Sequence, residues 1–520
     1  MFVFDPNKAM KYVTAEGIAA TVMFAIMNTF LTVFAAELGA SNMQIGLVVA
    51  LPAMVALLSY IPSAYVTEIW NNRKRTCIVF SFLSRFMWVF VGLIPFLILS
   101  NVITTISQGI TLLILLLSAY YGFGTFVSTS WASMVGVIIP DKIRGQYFGR
   151  RNQLCAIASL VSGTVAGFVL QVFNNSLLGF SVIFIAAGIA GIMSSFFFSR
   201  FPDVRFEPEK VMIFSELRKV MSNSPFRTFM LIMMMWQFGV SMSAPFMNVY
   251  LIEGLNAEYV WLSIIVFVHG ISTILVQKGW GAVADTFGHR SIVIISAFGA
   301  SFVPLLWMLA PSPDFAVAIN ILAGVAWAGF NLANFNYMLE ISTGGKRTIY
   351  SAFYWTIIYI PMIFAPIAGG WLADALVSMP LGLLNSFKGM FFISWVIRAV
   401  AVALFARMLF EVPARERIPA KHVAREIVGI GFHSIEQPFH LVTKRGFSYT
   451  GWLAMRLLGE IKELGRLPRK TRNEVMALER SVKDIEETEA RYYQNTVKRL
   501  RKILEKVRRK KAKEEARQGT

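Results

Sequence analysis

The sequence predicts an all-α membrane protein: twelve transmembrane helices in two pseudo-symmetric six-helix halves, followed by a helical tail. Three observations predict this fold. First, 56% of the 520 residues are hydrophobic and only 15% are charged, with a mean hydropathy of +0.59; this is more apolar surface than a water-soluble chain of this length buries. Second, twelve segments are long and apolar enough to cross a bilayer as helices. Third, the loops between them alternate in basic charge.

The segments follow from the need for roughly 20 mostly apolar residues to cross the hydrocarbon core. We number them as spans 1 to 12. Spans 1 to 6 are predicted at Ala15–Ala36, Met43–Val66, Cys77–Leu99, Ile110–Ile139, Asn152–Phe173 and Leu178–Phe198. Spans 7 to 12 are predicted at Phe229–Leu251, Tyr259–Ala282, Ile292–Ala310, Phe315–Leu339, Ile349–Ala373 and Gly389–Phe410.

The orientation follows from lysine and arginine, which are concentrated in the loops of one side. That side carries Arg73, Lys74, Arg75, Lys142, Arg144, Arg150, Arg151, Arg200, Arg205, Lys210, Arg218, Lys219, Arg290, Lys346 and Arg347. The loops of the other side carry only Lys388. Because basic loops stay in the cytoplasm, we predict a protein of the plasma (inner) membrane with both termini cytoplasmic. This topology explains the net charge of +19 better than nucleic-acid binding does.

The main change in composition lies between spans 6 and 7, where Arg200–Arg227 forms the longest internal loop. We therefore predict a six-helix bundle over 1–199, a cytoplasmic loop over 200–228, a second six-helix bundle over 229–412 and a basic helical tail over 413–520. In the tail, Trp452–Leu464 has the pattern of an interfacial helix and Val475–Val507 that of a coiled coil. An anionic lipid surface and a protein are both candidate partners for the tail.

Several classes of site are not indicated by the sequence. Cys77 and Cys155 lie in apolar segments without paired spacing, so we expect neither a disulfide nor a metal site, and no cofactor. The chain lacks a phosphate-binding loop of the kind that drives ATP-dependent pumps. It also lacks an intramembrane cluster of nucleophile and base, so we do not expect an enzyme.

Two loop features recur in both halves. Residues Gly281 to Arg290 read Gly-Ala-Val-Ala-Asp-Thr-Phe-Gly-His-Arg after span 8, and a degenerate copy with Glu68 and Arg73 follows span 2. The four residues from Arg144 to Tyr147 after span 4 are echoed by those from Arg347 to Tyr350 after span 10. Recurrence at matching places is typical of transporters with parallel repeats.

The motif after span 8 resembles the loop signature of the major facilitator superfamily, Gly-x-Leu-Ala-Asp-Arg-x-Gly-Arg-Lys. The runs Leu38 to Gly46 and Pro140 to Asn152 are similar to an uncharacterised prokaryotic branch of that superfamily. The resemblance covers about residues 1 to 412. It implies a secondary active transporter of a small organic solute that works by alternating access. The alternative is a transporter-like sensor or scaffold that signals through its tail.

The loop motifs predict a cytoplasmic gate, because an acid in such a loop can cap a helix start and pair with an arginine. Glycine lets the two helices approach closely. The predicted gate residues are Glu68, Arg73, Arg144, Asp285, Gly288, Arg290 and Arg347. For the first-half copy, an ordinary positive loop is the alternative.

If the resemblance holds, spans 1, 4, 7 and 10 line a central cavity, with help from spans 2, 5, 8 and 11. Amides, phenols and an indole on these spans offer hydrogen bonds without the cost of burying charge, which suits a neutral or zwitterionic solute. The candidate substrate-binding residues are Asn28, Tyr120, Tyr121, Gln237, Asn248, Trp327, Asn331, Asn334 and Tyr354. Each of them has the alternative of joining helices by interhelical hydrogen bonds.

Ionisable residues inside the membrane are costly, so each needs a reason. His269, near the middle of span 8, is the candidate for proton coupling, with a structural histidine as the alternative. Glu16 can pair with a loop arginine at the gate or meet interfacial water. For Arg85 and Arg398 we expect structural pairing or snorkelling.

Overall fold

The structure is a computed structural model that describes residues 6–70, 72–139, 144–173, 176–202, 220–342, 347–377 and 386–410. Within these ranges, twelve helical spans are long and apolar enough to cross a membrane, which confirms the predicted fold class. Spans 1 to 6 are the helices Pro6–Glu37, Asn42–Trp70, Arg73–Leu99, Ile106–Ile138, Arg144–Val172 and Leu177–Ser199. Spans 7, 8, 10, 11 and 12 are Ser224–Val249, Val260–Phe287, Pro313–Glu340, Arg347–Val377 and Phe387–Met408, and span 9 consists of His289–Ser301 and Val303–Leu309.

Several helices begin earlier than the apolar segments do. Span 5 starts at Arg144, eight residues before the predicted Asn152, and span 1 starts at Pro6 rather than Ala15. Hydropathy marks only the part of a helix that lies in hydrocarbon, whereas the hydrogen-bonded helix continues into the polar interface.

Local signals set several of the helix starts. Asn72 caps span 3 by accepting a hydrogen bond from the Arg75 amide, and Thr105 forms a capping box with Gln108 at the start of span 4. Asn223 caps span 7, in which Pro225 occupies the first turn, where no amide donor is needed. Span 7 ends in a π-helical turn over Tyr250–Gly254.

The two halves share one packing scheme. In the first half, span 1 packs against spans 5 and 6, and span 3 packs against spans 4 and 6. In the second half, span 7 packs against spans 11 and 12, and span 9 packs against spans 10 and 12. Spans 2 and 4 pair in the first half as spans 8 and 10 do in the second. The repeat indicated by the loop motifs is therefore also a repeat of the fold.

We name the two ends of the bundle by their loops. The basic face is the end at which span 1 begins and span 12 ends, and the opposite face is the other end. The predicted tail, with its interfacial helix and coiled coil, lies outside the described residues, as does most of the predicted central loop.

Candidate functional site

Span 10 presents three candidate residues on one side of its helix. Trp327, Asn331 and Asn334 follow one another at four- and three-residue intervals, which places them on a common face. The Trp327 ring lies 6.1 Å from the ring of Trp236 on span 7. Asn331 is exposed although it lies well inside the span. This face of span 10 therefore turns toward the interior of the second half while leaving one amide accessible.

Asn334 and Tyr354 contact each other directly. The Asn334 amide nitrogen donates to the Tyr354 hydroxyl, and both side chains are buried. The Tyr354 ring is stacked on Phe229 of span 7, with 6.3 Å between centroids. The Asn334 Oδ1 atom has no hydrogen-bond partner among the described residues. The pair joins spans 10 and 11 and leaves one acceptor unused.

Spans 1 and 7 meet through another pair of candidates. The Asn248 side chain on span 7 donates to the Thr29 carbonyl oxygen on span 1 at 3.1 Å. Asn28, the neighbour of Thr29, is exposed, and on the other helix the Gln237 amide nitrogen donates to Ser241 at 3.0 Å. Asn28 is therefore the most accessible of these residues, Gln237 is half-buried and bonded within its own helix, and Asn248 joins the halves.

The tyrosines are divided between the core and the middle of the bundle. Tyr120 is buried, with its ring edge-on to Trp88 at 5.8 Å, so it belongs to the core of the first half. Its neighbour Tyr121 is half-buried, because adjacent helix positions point about 100° apart. Tyr60 on span 2 and Tyr359 on span 11 meet across the halves with ring centroids 6.4 Å apart. The sequence analysis did not select Tyr60, although a tyrosine well inside a membrane span is the kind of residue that could have identified it.

The halves close against each other at the opposite face, first along spans 2 and 11. The Asp374 carboxylate, from span 11, accepts hydrogen bonds from the Asn42 side chain at 2.8 Å and from the Met43 amide at 2.9 Å. It thus caps span 2 from the other half, where the positive end of the helix dipole favours an anion. Gly46 and Gly370 lie against the backbone of the facing helix, so a Cβ at either position would clash with a carbonyl oxygen.

Spans 5 and 8 form an equivalent seam. Ser263 on span 8 donates to the Gly163 carbonyl oxygen at 2.9 Å. The Ser263 hydroxyl also lies so close to Gly167 that a Cβ at position 167 would overlap it. One turn further along span 5, Gln171 donates to Glu258 at 3.3 Å. Gln171 follows Gly167 by four residues, as Asp374 follows Gly370. The two seams therefore repeat one arrangement across the pseudo-twofold axis.

A phenol and a carboxylate add a further link at this face. The Tyr259 hydroxyl donates to the Glu37 carboxylate at 2.5 Å, and its ring packs against Phe180 at 5.4 Å. Burial, together with the hydrogen bond to Glu37 and the charges of Glu37 and Glu253, raises the pKa of Tyr259 above its ordinary value. The phenol therefore keeps its proton at neutral pH and remains a donor.

At the basic face the structure shows how the repeated loop motifs hold the helices. Tyr147, which ends the first repeat, donates to the Met10 carbonyl oxygen of span 1 at 2.9 Å. Tyr350, which ends the second repeat, accepts from Asn223 at the start of span 7 at 3.1 Å. The repeated tyrosines thus fix spans 5 and 11 to the beginnings of spans 1 and 7.

The predicted gate residues are described only in part. Arg290 donates to the carbonyl oxygens of Leu409 and Ala406 at 2.9 and 3.1 Å, and so binds the end of span 12. Gly288 links spans 8 and 9 with a φ of +84°, a conformation that favours glycine. Arg73 begins span 3. The side chains of Glu68, Arg144, Asp285 and Arg347 lie outside the described part of the chain, so their pairing stays a prediction.

Glu16 is the centre of a buried ion cluster in the first half. Its carboxylate lies 3.4 Å from Arg151 of span 5 and 3.9 Å from Arg85 of span 3, and it accepts from Ser194 of span 6 at 3.2 Å. The Glu16 side chain is only 5% exposed, so interfacial water is not its partner. Arg151 belongs to a helix rather than to a loop. Glu16 thus joins spans 1, 3, 5 and 6.

The second half holds a different buried cation. Arg398 is 1% exposed and donates to the Ser243 hydroxyl at 2.7 Å and, more distantly, to the Gly239 carbonyl oxygen at 3.4 Å. The described residues offer it no carboxylate within ion-pair distance. Its partners are hydroxyl and carbonyl groups on spans 7 and 9, which agrees with the expected structural role.

His269 lies between spans 8 and 10. Its imidazole contacts the backbone of Asn320, and its carbonyl oxygen accepts from Thr273 at 2.9 Å. Gly324 of span 10 approaches so closely that a Cβ there would lie 2.6 Å from that carbonyl oxygen. The side chain is half-buried rather than enclosed. Its position serves helix packing and leaves part of the ring accessible.

Twelve spans, one packing scheme in both halves and close contacts between the halves at one end define a two-half membrane protein. The chain belongs to the Major Facilitator Superfamily, whose family model matches residues 14–278 and, in a second match, 229–461. It is an integral, multi-pass membrane protein of a transporter family.

Comparison with individual proteins agrees with this membership. The chain is 23% identical over 374 residues to an uncharacterised MFS-type transporter of Methanocaldococcus jannaschii, a match that covers 69% of this chain and 88% of that protein. Among solved structures, a D-xylose–proton symporter superposes with a TM-score of 0.62 at 13% identity, covering 79% of this chain and 99% of that one. The nucleoside transporter NupG superposes with a TM-score of 0.59 at 13% identity, covering 78% and 99%. At these identities the solved structures show a shared fold.

Proposed function

We propose that this protein is a secondary active transporter that moves a small neutral or zwitterionic organic solute by alternating access. The observation that carries the proposal is a set of uncharged polar side chains accessible away from the span ends, on helices of both halves, beneath a sealed opposite face. Asn28, Gln237 and Asn331 belong to this set, and Tyr60 and Tyr359 lie where the halves meet. Such groups bind hydroxyl, amide and carbonyl groups of a solute without a charge penalty.

The buried charges support a solute without net charge. Glu16, Arg85, Arg151 and Arg398 are all engaged inside one half or the other and are 13% exposed or less. These charged side chains therefore make structural contacts within each half and do not face the proposed route of the solute between the halves. Two of the structural neighbours are named for transport of D-xylose and of nucleosides, both rich in hydroxyl groups. We place the solute in this hydrogen-bonding class.

The direction of opening follows from the predicted topology. If the basic face is cytoplasmic, the seams at the opposite face close the external side, and the structure is the inward-facing state of the cycle. The other state then requires closure of the basic face. We propose that Glu68, Arg73, Arg144, Asp285, Gly288, Arg290 and Arg347 form the contacts of that closure.

The binding site is tested with a panel of solutes and one pair of variants. Purified protein is screened by thermal shift against pentoses, hexoses, nucleosides, amino acids and anionic metabolites, and uptake of the best solute is measured in proteoliposomes. We expect Asn331→Ala to raise the KM for uptake by about 5- to 30-fold, because one lost hydrogen bond to a bound solute is worth roughly 1–2 kcal/mol. Asn336→Ala is the matched control, since Asn336 lies on the same helix but points away from Asn331.

Equal effects of the two variants would refute the placement of the site on this face of span 10. A best solute with a net negative charge would refute the neutral class. Protein that binds a solute and never moves it into liposomes would contradict transport and favour a sensor.

Proton coupling is tested at His269. We propose that this imidazole carries the coupled proton, since histidine is the side chain whose ordinary pKa lies nearest to neutral pH and His269 is partly accessible. We expect an inward pH gradient to stimulate uptake by the wild-type protein, and His269→Ala to reduce uptake to the rate without a gradient while exchange of solute at equal pH persists. Uptake that is indifferent to pH, or stimulation that survives in His269→Ala, would remove His269 from the mechanism.

A further inference from the structure

The outer surface of the second half carries a deep apolar groove between spans 9 and 12. Its volume is about 680 Å³. The groove is lined by Ile294, Ile295, Phe298, Ser301, Phe302, Trp395, Ala399, Val402, Ala403 and Ala406. Nine of these ten side chains are apolar, and Phe298 is 55% exposed, so the groove opens to the surroundings of the bundle and not to its interior. In a membrane those surroundings are lipid.

The groove exists because span 12 carries small side chains on the face that borders it. Ala399, Ala403 and Ala406 succeed one another at four- and three-residue intervals, so three methyl groups form its floor. The rings of Phe302 and Trp395, 6.4 Å apart between centroids, close its inner end near the middle of the membrane. The shape is that of a narrow channel parallel to the helices, which suits an extended hydrocarbon chain.

The outer end of the groove, at the basic face, is positively charged. Arg290 lies one turn before Ile294 and crosses to span 12 to bind the Ala406 and Leu409 carbonyl oxygens. Arg407 directly follows the groove residue Ala406. It is exposed, and no hydrogen bond or ion pair joins it to another described residue. Because Arg407 also lies one turn after the groove residue Ala403, two arginines flank the end of the apolar groove at the basic face.

We propose that this groove binds an anionic phospholipid of the bilayer, with one acyl chain between spans 9 and 12 and the phosphate group at Arg407, next to Arg290. Only an amphiphile matches an apolar channel that ends in positive charge at the level of the headgroups. Guanidinium groups bind phosphate oxygens through paired hydrogen bonds. Phosphatidylglycerol presents its phosphate without a neighbouring cation and gains from both arginines, whereas phosphatidylcholine brings its own cation. This site does not depend on the proposed transport.

The full-length protein is tested in detergent by native mass spectrometry with added dioleoyl phosphatidylglycerol or phosphatidylcholine. Arg407→Gln is expected to weaken phosphatidylglycerol binding about fivefold and to weaken phosphatidylcholine binding less, because the choline cation already offsets part of that phosphate charge. Arg200→Gln, at the corresponding end of span 6, is the charge control and is expected to change neither. Ala403→Trp is expected to reduce binding of both lipids by filling the groove, whereas Ile393→Trp, on the exposed surface of the same helix outside the groove, does not.

Each arm can overturn the proposal. Equal binding of the two lipids by the wild-type protein, or equal effects of Arg407→Gln and Arg200→Gln, would show that the arginines at this end of the groove do not select anionic lipid. A preference for phosphatidylglycerol that survives in Ala403→Trp would reveal a surface charge effect without a groove. Size-exclusion elution and helical circular dichroism identify any variant that has failed to fold; for position 403, Ala403→Leu then replaces the tryptophan.

Discussion

Replacing Gly370 with leucine is expected to reduce transport strongly by preventing closure of the opposite face. Even a single Cβ at this position would overlap the Asn42 carbonyl oxygen on span 2, which belongs to a backbone that cannot rotate away. Overpacking of this kind costs roughly 1–3 kcal/mol when the structure adapts. Here the adaptation available is separation of the halves, which also breaks the hydrogen bonds of Asp374 to span 2. We expect uptake to fall at least about tenfold.

The separation can be measured directly. Spin labels at Thr104→Cys and Asp314→Cys, two exposed positions at the opposite face in different halves, are expected to move apart by several ångströms in the Gly370→Leu background. Gly149→Leu is the matched control, since a Cβ on that helical glycine lies within 4 Å of no atom of the described residues. An unchanged label distance in Gly370→Leu, or an equal loss of uptake in Gly149→Leu, would contradict the role of this seam.

Replacing Glu16 with alanine is expected to destabilise the first half strongly. The carboxylate lies between Arg85 and Arg151, and its removal leaves two guanidinium groups buried without a counter-charge. Removing one partner of a buried ion pair typically costs about 3–5 kcal/mol. We expect a clear drop in the thermal unfolding temperature in detergent. Glu340→Ala is the control, because the Glu340 side chain is 34% exposed and its pair with His289 spans 3.9 Å.

A second variant separates charge balance from packing. Glu16→Ala combined with Arg85→Met removes one of the two stranded cations, so we expect it to recover part of the lost stability. A single variant no less stable than Glu340→Ala would show that the cluster contributes little. Full loss of stability in the double variant would mean that the role of Glu16 is not to neutralise Arg85.

In the candidate site, the sequence identifies polar residues, and the packing of the helices determines which of them are exposed and which bond to each other. Tyr120 and Tyr121 are adjacent and chemically identical, and only the rotation of span 4 sends one into the core beside Trp88 and leaves the other half-buried. Asn334 was a candidate for the solute, and the fold supplies Tyr354 as its partner. Asp374 lies one residue beyond the predicted end of span 11, so its bond to Asn42, 332 residues earlier, had no signal except the glycines nearby.

The sequence by itself determined the twelve spans, the division into two halves and the family, because insertion into hydrocarbon depends on the local composition of about 20 residues and the loop motifs are local too. Only the tertiary structure decided which polar side chains inside the spans are exposed, which of them bind one another, and at which end the halves contact each other. Those outcomes depend on the rotation and approach of helices distant in sequence. That geometry is set by side-chain packing summed over whole interfaces, which no local pattern encodes.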